Sequence, residues 1–176
     1  MTDHDTSPDI SPDPGRDTSH DDRVEKVARL MDGIRIAMLT TVDERGSLVS
    51  RPMATQDVEF DGDLWFIAER SSSAAAHIAA RPQVNAAYSG SSSWVSLSGT
   101  ARVVDDVQKL SELWDTFTGA WMEGGPENPE NVLIHIEAES AEYWDSPGSK
   151  VTQVLNLVKT KVTGDRFEAD NETVDL

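Results

Sequence analysis

Residues 36–56 read IAMLTTVDERGSLVSRPMATQ and contain the pattern that decides the fold. A continuous apolar and β-branched run over 36–42 is followed by the turn residues Asp43–Gly46 and by a second extended segment over 48–56. The sequence therefore predicts two strands joined by a hairpin. Pro52 lies within the second strand, and because proline cannot donate to the ladder, it indicates an edge strand, a bulge or a site where the backbone faces something other than a neighbouring strand.

The rest of the chain between its two ends also consists of short strands, with helices inserted between them. Further strands are predicted over 58–60, 64–68, 84–88, 94–104 and 132–144, and helices over 22–34, 71–80, 105–122 and 149–162. The Asp61-Gly62 pair predicts a hairpin between two of the strands. Large apolar residues lie on one face of the third helix: Leu110, Leu113, Trp114, Phe117 and Trp121. Hairpin connections favour a small closed or half-open antiparallel barrel over a doubly wound parallel sheet.

The formal net charge of −17 lies mostly at the two ends of the chain. Residues 1–22 hold seven Asp against one Arg, and residues 164–176 hold five acidic residues against one Arg. Residues 1–20 are also rich in Pro, Ser and Thr, so burial cannot offset the entropy of ordering them. We expect a disordered acidic tail over 1–21, one folded domain over 22–163 and an acidic C-terminal tail over 164–176.

The composition excludes several classes of function. The chain has no Cys, which removes disulfides, thiolate nucleophiles and thiolate metal sites. No stripe of Lys and Arg offsets the acidity, so we expect neither nucleic acid nor membrane as a partner. The four His show no metal-ligand spacing, hydrolase and NTPase motifs are missing, and no residue is predicted to be catalytic. Without a secretory signal or a membrane-length apolar run, the expected location is cytoplasmic.

Three features are candidates for a binding site, and each has an ordinary structural explanation. The segment 50–53 puts a permanently charged arginine beside a proline, as an anion site would use, or as a surface edge strand would. The segment 70–73 lies at a strand-to-helix junction, where hydroxyls and free amides can hold phosphate, or where serine simply caps the helix. Trp94 and the segment 142–145 place aromatic residues at strand ends, where they would pack on a flat cofactor, a core or a dimer partner.

A resemblance to a known family gives these features one explanation. Five motifs occur in the family's order: LTTVDERGSLVSRPM (39–53), FDGDLWFIAERSS (60–72), RPQVNAAYS (81–89), WVSLSGTARVV (94–104) and AEYWDSP (141–147). Over about Val24 to Val162 the chain resembles the pyridoxamine 5'-phosphate oxidase-like superfamily, and more narrowly its general stress protein branch. The resemblance implies a mainly β fold, a six-stranded antiparallel split β-barrel with flanking helices, that forms a homodimer with FMN at the subunit interface.

The resemblance also implies which residues hold the cofactor. Matched residue by residue, they are Arg51, Pro52, Met53, Ile67, Ala68, Ser72, Ser73, Trp94, Trp144 and Lys150. Segment 51–53 would contact the flavin ring and phosphate, Ser72 and Ser73 would hold the phosphate, and Trp144 would reach the flavin from the other subunit. The chain departs from the family at Ala74, where members commonly carry a Lys that pairs with the phosphate.

The implied function is an FMN-binding, oxidoreductase-like general stress protein. Such a flavoprotein would pass electrons between a reduced nicotinamide, or another donor, and a small acceptor. Two alternatives stay open: a reductase of the same fold that uses a deazaflavin coenzyme, and a non-catalytic stress protein that binds a flavin or another ligand. Ala74 favours the second of these. The sequence names no substrate and does not support true pyridoxamine phosphate oxidase activity.

Overall fold

The computed structural model describes residues 20–56, 58, 60–145 and 170–175. Within these ranges the elements are α1 (His20–Met31), β1 (Ile36–Val42), β2 (Leu48–Ala54), β3 (Asp63–Glu69), α2 (Ser73–Ala80), β4 (Gln83–Ser89), β5 (Ser93–Val104), α3 (Val107–Leu113), α4 (Thr116–Trp121), β6 (Asn131–Asp145) and β7 (Asp170–Asp175). The expected helix over 149–162 lies outside the described residues, as does the expected tail up to residue 19.

All the described strands belong to one antiparallel sheet. Its order is β2-β1-β4-β5-β6-β3, and β7 pairs with β6. The long strand β6 pairs with β5 along one side, and with β3 and then β7 along the other. The end strands β2 and β3 contact each other, so the sheet curls into a half-barrel. The predicted split-barrel fold is confirmed.

The core fills the concave side of this sheet because the strands alternate buried and exposed residues. In β1, Ala37, Leu39 and Thr41 are buried between more exposed neighbours, as expected for a strand with one face in the core. The same pattern recurs in β4. Helices α1 and α2 cover this face with Val27 and Ile78. The two helices therefore close the half-barrel on the side away from its exposed strand face.

A β-bulge bends the two longest strands. The register of β5 against β6 shifts between Ser98 and Gly99. A Cβ atom on Gly99 would collide with the carbonyl oxygen of Glu137 and lie 2.9 Å from the Cα of Ala138. Only glycine permits this close approach of the two backbones, and such bulges increase local twist and curvature.

The predicted hairpin between 58–60 and 64–68 is wrong. Val58 and Phe60 lie outside any strand, and β3 pairs instead with β6, from Asp63 opposite Glu137 to Glu69 opposite Asn131. The first half of β6 is buried on both faces, so pairing with it buries more apolar surface than a three-residue strand would. Phe60 is buried without being part of the ladder.

Two further elements differ from the sequence-based prediction. The single helix expected over 105–122 is two helices, α3 and α4, and each begins at an aspartate cap. Residues 170–175, expected to belong to an acidic tail, form β7 against the end of β6. Asp, Asn and Glu are depleted in strands, so composition gave no indication of this strand.

Candidate functional site

An open groove of about 360 Å³ lies between β2, the end of β3, the start of α2 and α4. Its lining includes Arg51, Pro52, Met53, Ile67, Ala68, Ser72 and Ser73. These seven come from three separate parts of the sequence and are among the ten residues predicted to hold a cofactor. The fold brings them together around one opening. That they bind a cofactor stays a prediction.

The other three predicted residues are not part of this lining. Trp94 and Trp144 lie directly opposite each other on β5 and β6. Trp94 is 43% exposed and is available at the surface for contact with another molecule, whereas Trp144 is partly buried. Lys150 lies outside the described residues.

The groove follows the free side of an edge strand. Among the described strands, β2 pairs only with β1, where Pro52 stands opposite Met38. Of the alternatives predicted from Pro52, the structure shows the edge position, where a residue without an N–H is tolerated because no neighbouring strand needs a donor. Residues 51–54 all line the groove, since the strand presents its unpaired side to it.

Arg51 supplies the positive charge of the groove. Its guanidinium donates to Thr41 Oγ1 at 2.9 Å and faces His77 Nδ1 at 3.4 Å. No carboxylate of the described residues lies within ion-pair distance of it. Partial burial lowers the pKa of Arg51 from its usual value, but an arginine stays charged at neutral pH. A half-buried cation without a carboxylate partner favours an anionic ligand.

The start of α2 forms the opposite wall. Ser72 caps this helix, since its Oγ accepts a hydrogen bond from the amide of Ala75 at 3.2 Å. The ordinary explanation for this serine is therefore correct, although its own O–H can still donate to a ligand. Ser73 is exposed and opens the first turn, where backbone amides have no partner within the helix. Serine hydroxyls and first-turn amides are both donors suited to a phosphate.

Ala74 lines the groove and is also part of the core. Its side chain is 2% exposed and belongs to the apolar cluster beneath α2. The position where family members commonly carry a Lys is therefore closed by a methyl group. Among the described lining residues, Arg51 is the one cation, and Glu69 at the exposed end of β3 is the one carboxylate.

Helix α4 forms an aromatic wall that the sequence analysis did not assign to the site. Phe117 and Trp121 line the groove, and Trp121 is 74% exposed. Their rings are 6.3 Å apart between centroids. The sequence placed them on the same face as Leu110 and Leu113, but these two leucines are buried beneath α3. The signal that separates the two groups is Asp115, a capping residue in the middle of the expected helix.

Asp115 fixes α4 in its position beside the groove. Its carboxylate accepts a hydrogen bond from the amide of Thr118 at 2.7 Å, and hydrogen bonds from Thr118 lower the pKa of Asp115. Arg35 lies 3.4 Å from the same carboxylate and stacks over Phe117 at 5.6 Å from the ring centroid. The chain therefore begins a new helix here, which places Phe117 beside the opening.

A second cavity, of about 620 Å³, lies beside α1 and contains none of the predicted site residues. Its lining includes Arg29, Arg35, Asp32 and Asp63, so cations and carboxylates occur there in equal number. Within the described part of the chain, no group of three His, Asp or Glu could hold a metal ion. None of the described helices is long and apolar enough to cross a membrane. The groove at Arg51 is therefore the better candidate for an anionic ligand.

Comparison with known proteins bears on the family and the fold of the chain. A family profile described as "Pyridoxamine 5'-phosphate oxidase like" matches residues 22–168. Protein bli-3 of Neurospora crassa is 28% identical over 156 residues, with 82% of this chain and 75% of bli-3 covered. The structure assigned to general stress protein 26 from Jannaschia sp. CCS1 has a TM-score of 0.74 at 23% identity, covering 89% of this chain and 99% of that one.

A further solved structure is similar in both sequence and fold. The general stress FMN/FAD binding protein of Xanthomonas citri has a TM-score of 0.61 at 27% identity, and the match covers 72% of this chain and 90% of that one. The sequence and the fold are thus similar to the same group of proteins.

Proposed function

Since the chain belongs to the pyridoxamine 5'-phosphate oxidase-like family, we propose that it binds FMN in the groove at Arg51 and acts as an oxidoreductase-like stress protein. The fold is that of the FMN-binding stress proteins of this family. The observation that carries the proposal is the half-buried Arg51 guanidinium, which shares one groove with Ser72 and Ser73 and has no carboxylate partner among the described residues.

The residues present fit a flavin phosphate at one end and a flat ring at the other. Arg51, the hydroxyl groups of Ser72 and Ser73 and the amide of Ser73 are donors, as a phosphate monoester requires; the amide of Ser72 already donates to the carbonyl oxygen of Glu69 at 3.0 Å. Met53, Ile67 and Phe117 offer apolar surface to a ring. A volume of about 360 Å³ is near the lower end of the range for small-ligand sites. Part of a ligand as large as FMN would therefore extend beyond the groove.

Bound FMN would supply the redox chemistry, accepting electrons from a reduced nicotinamide or another donor and passing them to a small acceptor. The chain's own residues would bind and orient the flavin. Arg51 and the start of α2 would fix the phosphate, while the apolar wall formed by Met53 and Ile67 would keep water from one face of the ring. No described residue lining the groove is a His, Lys or Tyr, so proton transfer would rely on solvent or on the substrate.

We propose that the active form is a homodimer. Ile36 and Met38 lie on the exposed side of β1 with 43% and 41% of their surface accessible, and Trp121, which lines the same groove as Ile36, is 74% exposed. Large apolar residues exposed beside a binding groove are typical of an interface. A second subunit seated there would cover the exposed part of the ligand. Sedimentation of the flavin-loaded protein at micromolar concentration tests this, and a monomer would contradict it.

A non-catalytic ligand-binding stress protein is the second candidate. The observation that favours it is Ala74, which leaves the phosphate end with a single cation, Arg51, among the described lining residues. A deazaflavin coenzyme in the same groove, with its own phosphate on Arg51, is a further variant of the first proposal.

Titration of the purified protein with FMN, riboflavin and a deazaflavin coenzyme distinguishes these functions. The proposal predicts a yellow protein, or saturable quenching of FMN fluorescence, with FMN bound more tightly than riboflavin. Reoxidation kinetics after reduction by NADH or NADPH then separate an oxidoreductase from a binding protein. No change in ligand fluorescence or in melting temperature with any of the three ligands would contradict the flavin proposal.

A further inference from the structure

Arg51 does not reach the groove alone, because two side chains from other elements hold its guanidinium. Arg51 Nη1 donates to Thr41 Oγ1 at 2.9 Å, and Thr41 Oγ1 lies 2.9 Å from His77 Nδ1. Arg51 Nη2 faces the same His77 nitrogen at 3.4 Å. Strand β1, edge strand β2 and helix α2 thus meet in one hydrogen-bonded triangle.

One arrangement of protons satisfies all three contacts of this triangle. A guanidinium has donors but no acceptor, so a hydrogen bond from Arg51 Nη2 at 3.4 Å requires His77 Nδ1 to be its acceptor. In this arrangement His77 Nδ1 carries no proton, the Thr41 hydroxyl donates to it while accepting from Arg51 Nη1, and the ring proton is on Nε2.

This triangle leaves part of the arginine free to bind. A guanidinium has five N–H donors, and Thr41 and His77 engage two of them. Thr41 is completely buried, so its hydroxyl is a fixed point rather than a mobile surface group. A side chain as long as arginine loses rotamer entropy when it is fixed. A guanidinium already fixed in the free protein avoids that loss when a ligand binds.

We propose that His77 and Thr41 are positioning residues, which hold the Arg51 fork with its free donors directed to a phosphate monoester in the groove. The inference rests on the proposed function, since it concerns the same site. It adds two residues that do not line the groove and that do not touch the ligand. It also predicts that they affect ligands with a phosphate and leave ligands without one unaffected.

The test compares FMN with riboflavin in four proteins: the parent, His77→Leu, His77→Asn and the control Ala79→Leu. His77→Leu removes the acceptor, whereas Asn places an amide oxygen near the position of Nδ1. Ala79 is exposed on the same helix, so its leucine variant tests for a general effect of a new apolar side chain. Binding is measured by flavin fluorescence on proteins whose melting curves show them to be folded.

We expect His77→Leu to weaken FMN binding about three- to tenfold, the range for loss of one hydrogen bond, with riboflavin binding unchanged. His77→Asn should keep most of the FMN affinity, and Ala79→Leu all of it. Equal FMN affinity in His77→Leu and the parent would overturn the inference and leave the proposed function standing. Equal weakening of both flavins would overturn it too, because the role of His77 would then be structural.

Two further results separate the inference from the proposed function. If the parent binds neither flavin, the proposed function fails and the inference fails with it. ¹⁵N spectra of the histidine side chains test the proton assignment without any ligand. The expected result is an unprotonated Nδ1 and a protonated Nε2 on His77. A protonated Nδ1 at neutral pH would overturn the inference whatever the flavin titration gives.

Discussion

Replacement of Arg51 by Ala removes the one cation among the described residues that line the groove. Its effect on FMN is the loss of a charge-assisted contact with the phosphate, which is typically about 1.5 to 3 kcal/mol, or roughly ten- to 150-fold in Kd. Riboflavin has no phosphate and should bind the variant as it binds the parent. Arg51→Lys keeps the charge without the planar fork, so its FMN affinity should lie between the two.

The fold should survive Arg51→Ala, because the two groups that Arg51 contacts, on Thr41 and His77, stay hydrogen-bonded to each other. After the change, Thr41 Oγ1 and His77 Nδ1 still form their own hydrogen bond at 2.9 Å, so no buried polar atom of this pair is left without a partner. The loss of two hydrogen bonds from a partly exposed guanidinium is offset in part because a desolvated cation has been removed. We expect a change in unfolding free energy of about 1 kcal/mol or less.

Isothermal titration calorimetry with both flavins, at low and at moderate salt, tests whether Arg51 binds the phosphate. In the parent, FMN affinity should fall as salt is added, and in Arg51→Ala this salt dependence should be weaker. A folded Arg51→Ala protein that binds FMN as tightly as the parent would refute the assignment of Arg51 to the phosphate. An unfolded variant would show instead that the contacts of Arg51 hold the sheet to α2.

Three further changes test other parts of the account. Ala74→Lys should tighten the binding of FMN, but not of riboflavin, by about 1 to 2 kcal/mol. The melting temperature should fall, because the lysine side chain replaces a buried methyl group. Unchanged FMN affinity would contradict a phosphate at the start of α2. Trp121→Ala should leave the melting temperature unchanged, since the indole is 74% exposed, and should weaken both flavins equally by about 1 kcal/mol; unchanged binding would remove α4 from the site. Gly99→Ala should lower the free energy of unfolding by about 3 kcal/mol or more in chemical denaturation, because the new methyl group meets the backbone of Glu137. The control Ser98→Ala, at an exposed neighbouring position, should change it by about 0.5 kcal/mol or less.

The strands with strong local signals were predicted from the sequence. The turn at 43–46 and the serine-rich turn at 89–93 each join strands that do pair in the structure. The sequence also predicted the edge position of Pro52, because a missing N–H restricts where the residue can lie. Each of these predictions depends on residues that are close together in the chain, so the physical cause is visible in one short segment.

One error arose where a distant partner decides the structure. The partner of β3 is β6, about 70 residues later in the chain, and a local Asp-Gly signal cannot compete with a strand buried on both faces. The error in the third helix is local, because Asp115 caps a new helix through the amide of Thr118, and Arg35 only adds an exposed ion pair to it. Helical periodicity alone continues through this position without a break.

The candidate site was predicted through the resemblance more than through physical reasoning. Arg51 and Ser72 each had an ordinary structural explanation at least as strong as the binding one, and Ser72 does act as a helix cap. The sequence alone did not predict that β2 lies beside the start of α2, and this juxtaposition forms the groove. Thr41 and His77 gave no signal, because a threonine in a strand and a histidine in a helix acquire a role only when Arg51 is placed between them.

The pairing of β7 with the end of β6 has a practical consequence for anyone who trims this chain. A protein cut after residue 168, where the family profile ends, would lack β7 and expose the backbone groups of Ser140–Asp145 along one side. An unpaired strand edge can pair with a strand of another molecule, so the trimmed protein should be prone to aggregation. In the full chain, β7 covers this side of β6 by backbone pairing, from Ser140 opposite Asp175 to Asp145 opposite Asp170.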